Sequence, residues 1–435
     1  MIFIIYFSAI SSCNVKESYN RIEKAYEIPT PKPTTANANP NYINKNFTNN
    51  VPNQQIPAGT NNINQISGCR FTDITENKNY FIRVTGEVFI YDNIFENTAF
   101  FSGRPGIIWG DYNQGTLIIS QCKFSKISGR NSNGNILTCN SLTKMNIIIS
   151  ICEFIDCSEK SSTRPLFNFE GSGGSIKFIH SKFIFNDLTI SCQIIDVYTS
   201  NVLFDECEFE RSGTNSINLK LPNPDSDSKE KFEFINNRVK MNKGQFIKST
   251  FVIENIHIEG NIFENSELLN EHYISISYNS ESIEMKNNTF SQITLNTNSE
   301  SSGCLIIEIT KISQGQFNLT YSNCKFIDIK NLNINSPYHY GGAIRYGFST
   351  IDFNIDTNIT IIDCEFHRNQ ANKYGGALAL QTSKTIIIQN CIFESNSVTT
   401  IGTPKSRLTL LYDYYSEKKI QKLWWRHLSQ SNIQH

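Results

Sequence analysis

Residues 145–154 read Met-Asn-Ile-Ile-Ile-Ser-Ile-Cys-Glu-Phe, a β-branched apolar run that ends in a Cys-x-Phe triplet. The triplet returns along the chain, and its last residue recurs every 24 to 40 residues. Such an interval, kept over most of a chain, predicts a solenoid. The full copies are Cys69-Arg70-Phe71, Cys122-Lys123-Phe124, Cys152-Glu153-Phe154, Cys207-Glu208-Phe209, Cys324-Lys325-Phe326, Cys364-Glu365-Phe366 and Cys391-Ile392-Phe393. The weaker copies are Asn93-Ile94-Phe95, Ser181-Lys182-Phe183, Asn237-Arg238-Val239, Asn261-Ile262-Phe263 and Asn288-Thr289-Phe290.

The residues before each triplet indicate the type of solenoid. Runs such as 117–120 and 385–388 are β-branched and end near Asn, Gly or Ser, which is typical of strands. Strand alternation places the Cys and Phe of a triplet on one face and the residue between them on the other. We expect the phenylalanines of the full copies, from Phe71 to Phe393, to stack inside the solenoid. No sustained 3.6-residue apolar period occurs in 67–400, which disfavours helical repeats. About thirty residues hold three short strands and three turns, so we predict an all-β, single-stranded parallel β-helix of about twelve coils.

A glycine motif alternates with the triplets near the C-terminal end of the repeats. Tyr-Gly-Gly-Ala-Ile spans 340–344, and Tyr-Gly-Gly-Ala-Leu spans 374–378. Glycine permits positive φ and the close approach of a neighbouring coil. We therefore expect four glycines to be backbone corners rather than ligand-binding loops: Gly341, Gly342, Gly375 and Gly376. Asn369 and Asn396 each stand three places after a triplet phenylalanine, and we expect them to stack and hydrogen-bond between coils.

The alternation of Gly-Gly-Ala-Ile/Leu with Phe-x-x-Asn resembles the repeat of the chlamydial polymorphic membrane proteins. Similar repeats occur in surface proteins of trichomonad and other protists. Both tetrapeptides are clean only between 341 and 396, and the rest of 67–400 carries degraded versions. The resemblance implies a right-handed parallel β-helix of the pectin-lyase-like kind, displayed at a cell surface and used in adhesion.

The regions outside 67–400 differ in composition. Residues 1–13 contain an apolar run followed by small residues, which resembles a short secretory signal peptide. Residues 14–66 are rich in Pro, Asn, Thr and Gln and predict a low-complexity, disordered linker. Residues 401–435 are a tail that either caps the open end of the sheets or reflects a wrongly predicted gene end. No further apolar run is long enough to cross a bilayer, so we expect no transmembrane segment in this chain.

The chain has 12 cysteines, and their regular position favours packed thiols. Buried free cysteine behaves as a small hydrophobic residue. Adjacent coils also bring Cα atoms within disulfide range, so bridged pairs remain an alternative. No pair has the CxxC spacing of a zinc or redox site.

Enzymes that act on polysaccharides are frequent on β-helices, and they need carboxylates clustered on one face. The sequence has no Asp-Asp pair and no Gly-His-Gly phrase, and its 7 histidines are scattered. The outward triplet residues alternate in charge and read as a solvated face: Lys123, Glu153, Lys182, Glu208, Lys325 and Glu365. We therefore predict no catalytic, cofactor-binding or metal-binding residue.

Charge and glycosylation motifs bear on partners and location. The net charge is -1 with a pI near 6.7, so no nucleic-acid partner is expected. Asn-x-Thr sequons begin at Asn46, Asn287, Asn318 and Asn358, which is compatible with the secretory route. The expected function is a secreted or cell-surface, non-enzymatic β-helix that binds a host-cell, matrix or glycan ligand through its lateral faces and loops. The alternatives are a polysaccharide lyase or glycoside hydrolase on the same scaffold, and a purely structural spacer.

Overall fold

A computed structural model describes the part of the chain that begins at Tyr42, and no helix occurs among the described residues. The chain divides into the units Met1–Asn41 and Tyr42–His435, and all described residues belong to the second. The described residues are 42–48, 56–57, 64–76, 82–84, 86–100, 106–111, 115–129, 136–140, 145–157, 165–169, 174–186, 193–198, 200–211, 216–220, 231–242, 244–249, 255–269, 273–277, 282–296, 304–309, 316–331, 342–348, 356–371, 376–381, 385–398, 408–411 and 422–423. The predicted signal peptide at 1–13, Gly341 and Gly375 lie outside them.

The strands form three long parallel sheets, which we number in the order in which the chain enters them. Sheet 1 has 14 strands: Tyr42–Ile43, Asn64–Ser67, Val88–Tyr91, Gly115–Ser120, Met145–Ser150, Gly174–Ile179, Ser200–Asp205, Lys231–Ile235, Asn255–Glu259, Ser282–Lys286, Gln316–Ser322, Asp356–Ile362, Thr385–Gln389 and Lys422–Leu423.

Sheet 2 carries the Cys-x-Phe triplets. Its main path is Asn46–Thr48, Arg70–Thr72, Ile94–Glu96, Lys123–Ser125, Glu153–Ile155, Lys182–Ile184, Glu208–Glu210, Arg238–Lys240, Ile262–Leu269, Thr289–Asn296, Lys325–Ile327, Glu365–His367 and Ile392–Glu394. Three short strands extend it sideways: Lys330–Asn331, Gln370–Ala371 and Ser397–Val398. A separate 3-stranded sheet lies at the equivalent place in earlier coils: Thr75–Glu76, Ala99–Phe100 and Ser128–Gly129.

Sheet 3 completes each coil before the chain returns to sheet 1. Its 13 strands are Ile56–Pro57, Ile82–Val84, Ile108–Asp111, Leu137–Asn140, Pro165–Phe169, Gln193–Tyr198, Ile217–Lys220, Ile247–Ser249, Ile274–Ser277, Leu305–Ile309, Ile344–Phe348, Leu378–Gln381 and Leu408–Leu411. The order sheet 1, sheet 2, sheet 3 repeats along the chain, and each strand pairs with its counterparts in the coils before and after. The predicted all-β parallel β-helix is therefore confirmed, while its right-handedness and the number of coils stay predictions.

The triplet phenylalanines stack inside the solenoid. Phe124 is paired in register with Phe95 and Phe154, and its ring centroid lies 4.7 Å from that of Phe95 and 5.1 Å from that of Phe154. These rings are 0–1% exposed. The inward parity of the triplet is thus confirmed. The last ring, Phe393, stacks on Phe366 at 4.8 Å but is only partly buried, which departs from the prediction that it is an interior ring.

One position of the phenylalanine stack holds a smaller residue, and a ring from the neighbouring sheet fills the space that it leaves. Val239 takes the phenylalanine position after Phe209 and leaves space between two rings. Phe234 of sheet 1 lies 5.8 Å from Phe209 and 6.0 Å from Phe263, so aromatic contact continues across the gap. The core therefore keeps its volume although the repeat is degenerate there.

The corner between sheets 1 and 2 is a single residue in the left-handed conformation. It immediately precedes the first residue of each triplet, as in Gln121 (φ 53) and Asp363 (φ 54). A second left-handed residue stands two places after the phenylalanine, as in Lys126 (φ 52) and Arg368 (φ 53). Asn, Asp and Gly are common at such positions, but Ile151 (φ 53) is also present, and a β-branched residue tolerates this region poorly.

Asparagines just after the first corner join three consecutive coils through their side chains. Asn237, Asn261 and Asn288 are at most 1% exposed. The backbone N–H of Asn237 donates to Oδ1 of Asn261 at 2.7 Å, and that of Asn261 donates to Oδ1 of Asn288 at 3.0 Å. Nδ2 of Asn261 donates to the carbonyl oxygen of Phe234 in the preceding coil at 2.7 Å. The column satisfies backbone groups that have no strand partner at the corner.

A cysteine at this position also donates a hydrogen bond to the preceding coil, as the asparagines do. Sγ of Cys207 donates to the carbonyl oxygen of Phe178 at 3.5 Å, while the backbone N–H of Cys207 donates to Oδ1 of Asn237 at 2.8 Å. The ten described cysteines are free thiols, and all except Cys391 are buried. Burial raises the pKa of the Cys207 thiol to about 12. Within the described residues the cysteines are packed thiols, as the sequence favoured.

Asn369 and Asn396 form a second column at the next corner. The backbone N–H of Asn369 donates to Oδ1 of Asn396 at 2.9 Å, and Nδ2 of Asn396 donates to the carbonyl oxygen of Phe366 at 2.8 Å. Oδ1 of Asn369 accepts the backbone N–H of Ile329 at 3.1 Å. These are the coil-to-coil hydrogen bonds expected from the Phe-x-x-Asn motif.

The stacked region extends past both predicted boundaries. Strands Tyr42–Ile43 and Asn46–Thr48 lie inside 14–66, which was predicted to be a linker, and Phe47 stacks on Phe71 at 4.6 Å. The linker prediction missed this coil because its apolar residues are few and widely spaced. In the tail, Leu408–Leu411 pairs with Leu378–Gln381, so 401–435 continues a sheet beyond residue 400.

Gly342 and Gly376 are required by close packing and not by a left-handed backbone. Neither has positive φ. Of the two reasons expected for glycine here, positive φ is therefore wrong, and the close approach of a neighbouring coil remains. A Cβ on Gly376 would lie 2.5 Å from the carbonyl oxygen and 2.7 Å from the nitrogen of Ser397 in the next coil. A Cβ on Gly342 would overlap the carbonyl oxygen of Gly376.

Replacing Gly376 with valine is expected to lower the free energy of unfolding by about 1–3 kcal/mol, because the backbone of the next coil must move. Denaturant titration of the full chain measures this loss. Ser291→Val, which adds the same side chain on the outward side of a strand, is the control and is expected to leave the midpoint unchanged. A Gly376→Val protein with an unchanged midpoint would contradict the packing role.

The asparagine column predicts a ranking of substitutions at position 261. Asn261→Leu leaves the N–H of Asn237 and the carbonyl of Phe234 unpaired in the core, so we expect a loss of about 2–4 kcal/mol. Asn261→Cys is the matched control, because cysteine at this position donates to the preceding coil elsewhere in the chain. We expect its loss to be smaller by about 1 kcal/mol or more. Equal denaturation midpoints for the two variants would show that packing, not hydrogen bonding, fixes the corner.

Candidate functional site

The outward face of sheet 2 carries a row of alternating charges, which we call the charge ladder. It consists of the spacer residues of five consecutive triplets, paired in register: Lys123, Glu153, Lys182, Glu208 and Arg238. Nζ of Lys123 lies 4.0 Å from Oε2 of Glu153, and Nζ of Lys182 lies 3.7 Å from Oε2 of Glu208. Side-chain exposures of 41–51% for these four residues show that the ladder faces solvent.

The charge ladder ends in a more tightly bonded contact. Nε and Nη2 of Arg238 donate to Oε1 of Glu264 at 2.9 and 2.6 Å. Ile262 follows Arg238 in the spacer column and is 44% exposed, so the alternation of charges stops there. The ladder is therefore a bounded feature of the middle coils.

A second charged cluster lies on sheet 2 in the later coils. Nζ of Lys325 lies 3.1 Å from Oε1 of Glu365, and this hydrogen bond holds the pKa of the Glu365 carboxyl below its usual range. Arg368 forms a two-pronged contact with Asp328, at 2.8 Å to each carboxylate oxygen, which lowers the pKa of Asp328. Such paired, exposed charges contribute little stability but hold the side chains in fixed places.

Two outward histidines lie between carboxylates. His367 contacts Glu394 at 3.0 Å and Glu365 at 3.2 Å through its two ring nitrogens. His257 on sheet 1 does the same with Glu284 at 3.1 Å and Glu259 at 2.8 Å. Because each ring nitrogen already faces a protein carboxylate, neither histidine presents a free nitrogen to a substrate. No group of three His, Cys, Asp or Glu side chains suited to a metal ion occurs among the described residues.

A different row of polar residues runs along the outward side of sheet 3 in the same middle coils. This polar row is paired in register and consists of Thr138, Asn168, Asp196, Asn218 and Lys248. Thr138, Asn168 and Asp196 are only 0–7% exposed although they point away from the core residues beside them. Nδ2 of Asn218 donates to Oδ1 of Asp196 at 3.3 Å.

Sequence reasoning predicted the outward position of four ladder residues, Lys123, Glu153, Lys182 and Glu208, but missed Arg238 and the polar row. The ladder residues stand at a fixed place in a recognisable triplet, so their parity follows from the motif. Sheet 3 has no such motif, and the spacing from the triplet to its strands varies from coil to coil. The only signal was an apolar–polar–apolar pattern, as in Leu137-Thr138-Cys139, and it is too short to stand out in the sequence.

The charge ladder offers hydrogen bonding and charge pairing along an exposed face. Glu153 and Glu208 share a face, but the side chain of Lys182 occupies the coil between them. Glycoside hydrolysis uses two carboxyl groups on either side of the scissile bond, with room for a water between them in inverting enzymes. The polar row supplies one carboxylate, Asp196. The exposed charge ladder is thus suited to holding a ligand by many contacts, whereas Thr138, Asn168 and Asp196 of the polar row are buried.

All four sequon asparagines point outward. Asn318 and Asn358 share an outward column of sheet 1, where Nδ2 of Asn358 donates to Oδ1 of Asn318 at 3.1 Å. Asn287 is exposed at a left-handed corner, and Asn46 is exposed at the start of sheet 2. Asn46, Asn287 and Asn318 are exposed, and Asn358 is partly exposed.

No protein family, curated protein or solved structure matches the chain. In the part of the chain that the structure describes, no helix has the length and apolar character needed to cross a membrane. The candidate site therefore stands on the geometry of the charge ladder alone.

Reversing the central charge of the ladder tests its electrostatics. Lys182→Glu places three carboxylates in successive coils, and we expect a loss of up to about 1 kcal/mol in low salt that shrinks as salt is added. Lys177→Glu is the matched control, because Lys177 on sheet 1 is paired with Ile148 and Leu203 and not with acidic residues. Urea unfolding at two ionic strengths measures both. Identical salt dependence for the two variants would show that the ladder residues do not interact.

Proposed function

We propose that this chain is a secreted or cell-surface, non-enzymatic β-helix that binds an extended ligand through its lateral faces and loops, with the exposed face of sheet 2 as the main contact. The proposal includes the right-handed winding and the relation to polymorphic-membrane-protein-like surface repeats that the Gly-Gly-Ala-Ile and Phe-x-x-Asn motifs suggest. A host-cell, matrix or glycan polymer is the class of ligand. Adhesion is the expected role.

The observation that carries this proposal is the charge ladder. It presents both signs of charge at the spacing of the coils, over five coils and on a flat exposed face. A polymer with repeating polar or charged groups can make one weak contact per coil on such a face. Several weak contacts to a single chain combine into useful avidity.

The outward sequon asparagines support the extracellular part of the proposal. A chain that enters the secretory route can carry glycans at these positions without disturbing the core. Asn318 and Asn358 lie on sheet 1, so glycans there would leave the charge ladder on sheet 2 open to a ligand.

Binding of the full chain to immobilised glycans and epithelial cells tests the proposal. We expect Lys123→Gln/Lys182→Gln/Arg238→Gln to weaken binding by about tenfold or more, which corresponds to a loss of about 1.4 kcal/mol. The matched control removes the same number of positive charges from sheet 1: Lys177→Gln, Lys231→Gln and Lys286→Gln. Its binding is expected to stay within about twofold of the unmodified chain.

Hydrolysis is followed in the same assay through release of reducing ends. We expect none, with or without calcium. Turnover that disappears in Glu153→Gln or Glu208→Gln would replace the adhesin proposal by the polysaccharide-active enzyme, with the carboxylates of the charge ladder as its site. Equal loss of binding in the two triple variants would point to net charge rather than to the charge ladder.

A further inference from the structure

Three thiols stand in consecutive coils at the C-terminal end of the triplet column. Cys324, Cys364 and Cys391 each precede strands of sheet 2 that are paired in register. The backbone N–H of Cys324 donates to Sγ of Cys364 at 3.4 Å. The backbone N–H of Ile392 donates to the carbonyl oxygen of Cys364 at 2.9 Å, which fixes Cys391 beside Cys364.

The end of this column is open to solvent. Cys391 is the one described cysteine that is not buried, and the adjacent Ile392 is 44% exposed. No described strand pairs with the far edge of Ile392–Glu394. A small polar oxidant can therefore reach the Cys391 sulfur, whereas Cys324 and Cys364 lie behind it.

The two sulfurs also differ in acidity. A hydrogen bond from the Cys364 thiol lowers the pKa of Cys391. Hydrogen bonds with the thiols of Cys324 and Cys391 raise the pKa of Cys364. An accessible thiol of lowered pKa beside a second thiol is the arrangement of a redox-sensitive cysteine and its resolving partner.

We propose that Cys391 and Cys364 form a peroxide-sensitive pair that closes to a disulfide between the last two coils of sheet 2. The thiolate of Cys391 attacks a hydroperoxide, the O–O bond breaks, and a sulfenic acid and water (or an alcohol) are formed. The thiol of Cys364 then attacks the Cys391 sulfur, and the S–S bond forms as water leaves with the Cys364 proton. Two thiols lose two electrons, and one peroxide is reduced. This inference is independent of the proposed function.

The chain contains a matched pair that is expected not to react. Cys122 and Cys152 occupy the same triplet position in adjacent coils, and Lys123 and Glu153 after them are paired in register. Both thiols are only 1–2% exposed, with coils on either side. They share the geometry of the proposed pair and lack its access to solvent.

The test treats the reduced full chain with hydrogen peroxide, alkylates the remaining thiols and maps the products by mass spectrometry without reduction. We expect a mass lower by two hydrogen atoms and a cross-link between tryptic peptides 346–368 and 385–405. Reduction should reverse it. Cys391→Ser should abolish the cross-link, and Cys152→Ser should leave it intact.

The proposal would be overturned if both peptides were alkylated separately after peroxide treatment. It would also be overturned by a cross-link at Cys122–Cys152 or Cys324–Cys364, or by a dimer bridged through Cys391. In Cys364→Ser the sulfenic acid of Cys391 should persist and be trapped by dimedone. The native thermal midpoint of each variant confirms that the reduced protein is folded before oxidation.

Discussion

Coils along the described part of the chain are joined by hydrogen bonds that the next coil supplies at the corner between sheets 1 and 2. There a left-handed residue turns the chain, and the inward residue after it carries a backbone N–H that the side chain above accepts, as Asn261 does for Asn237. An unpaired buried N–H costs about 1–3 kcal/mol. A coil in isolation would bear that cost, so coils are stable only as a stack, which is the defining property of a solenoid.

This constraint explains why the same place tolerates Asn, Ser or Cys and not a larger apolar residue. Each of the three can engage a backbone group of the neighbouring coil, as Ser181 accepts the N–H of Cys152 at 3.3 Å. The side chain must also be small, because the phenylalanine two places later fills the interior at 4.5–5.1 Å from its stacked neighbours. The triplet that decides the fold thus combines a small residue that forms hydrogen bonds at the corner with a phenylalanine ring, two residues later, that fills the core.

The sequence revealed this core because its repeat has constant local spacing, and parity then placed the charge ladder on the outside. It did not reveal the left-handed corner, since Gln121, Ile151 and His180 share no common chemistry at that position. It misjudged the first coil, where only Phe47 carries the pattern. It also missed the polar row on sheet 3, because no repeated motif of constant spacing marks those strands in the sequence.

The inward and outward residues of a triplet are therefore under different constraints, although they are adjacent in the sequence. Phe124 and Phe154 must stack, and the register they impose sets Lys123 beside Glu153 whatever the outer residues are. Because the core alone fixes the register, the outer residues can vary without loss of fold, and a ladder of alternating charges costs little stability. On a face of this kind, each coil presents one outward residue at a regular spacing along the solenoid. A ligand that repeats at a similar interval can be matched to it by changing outer residues only, which is how a common scaffold acquires a specific surface.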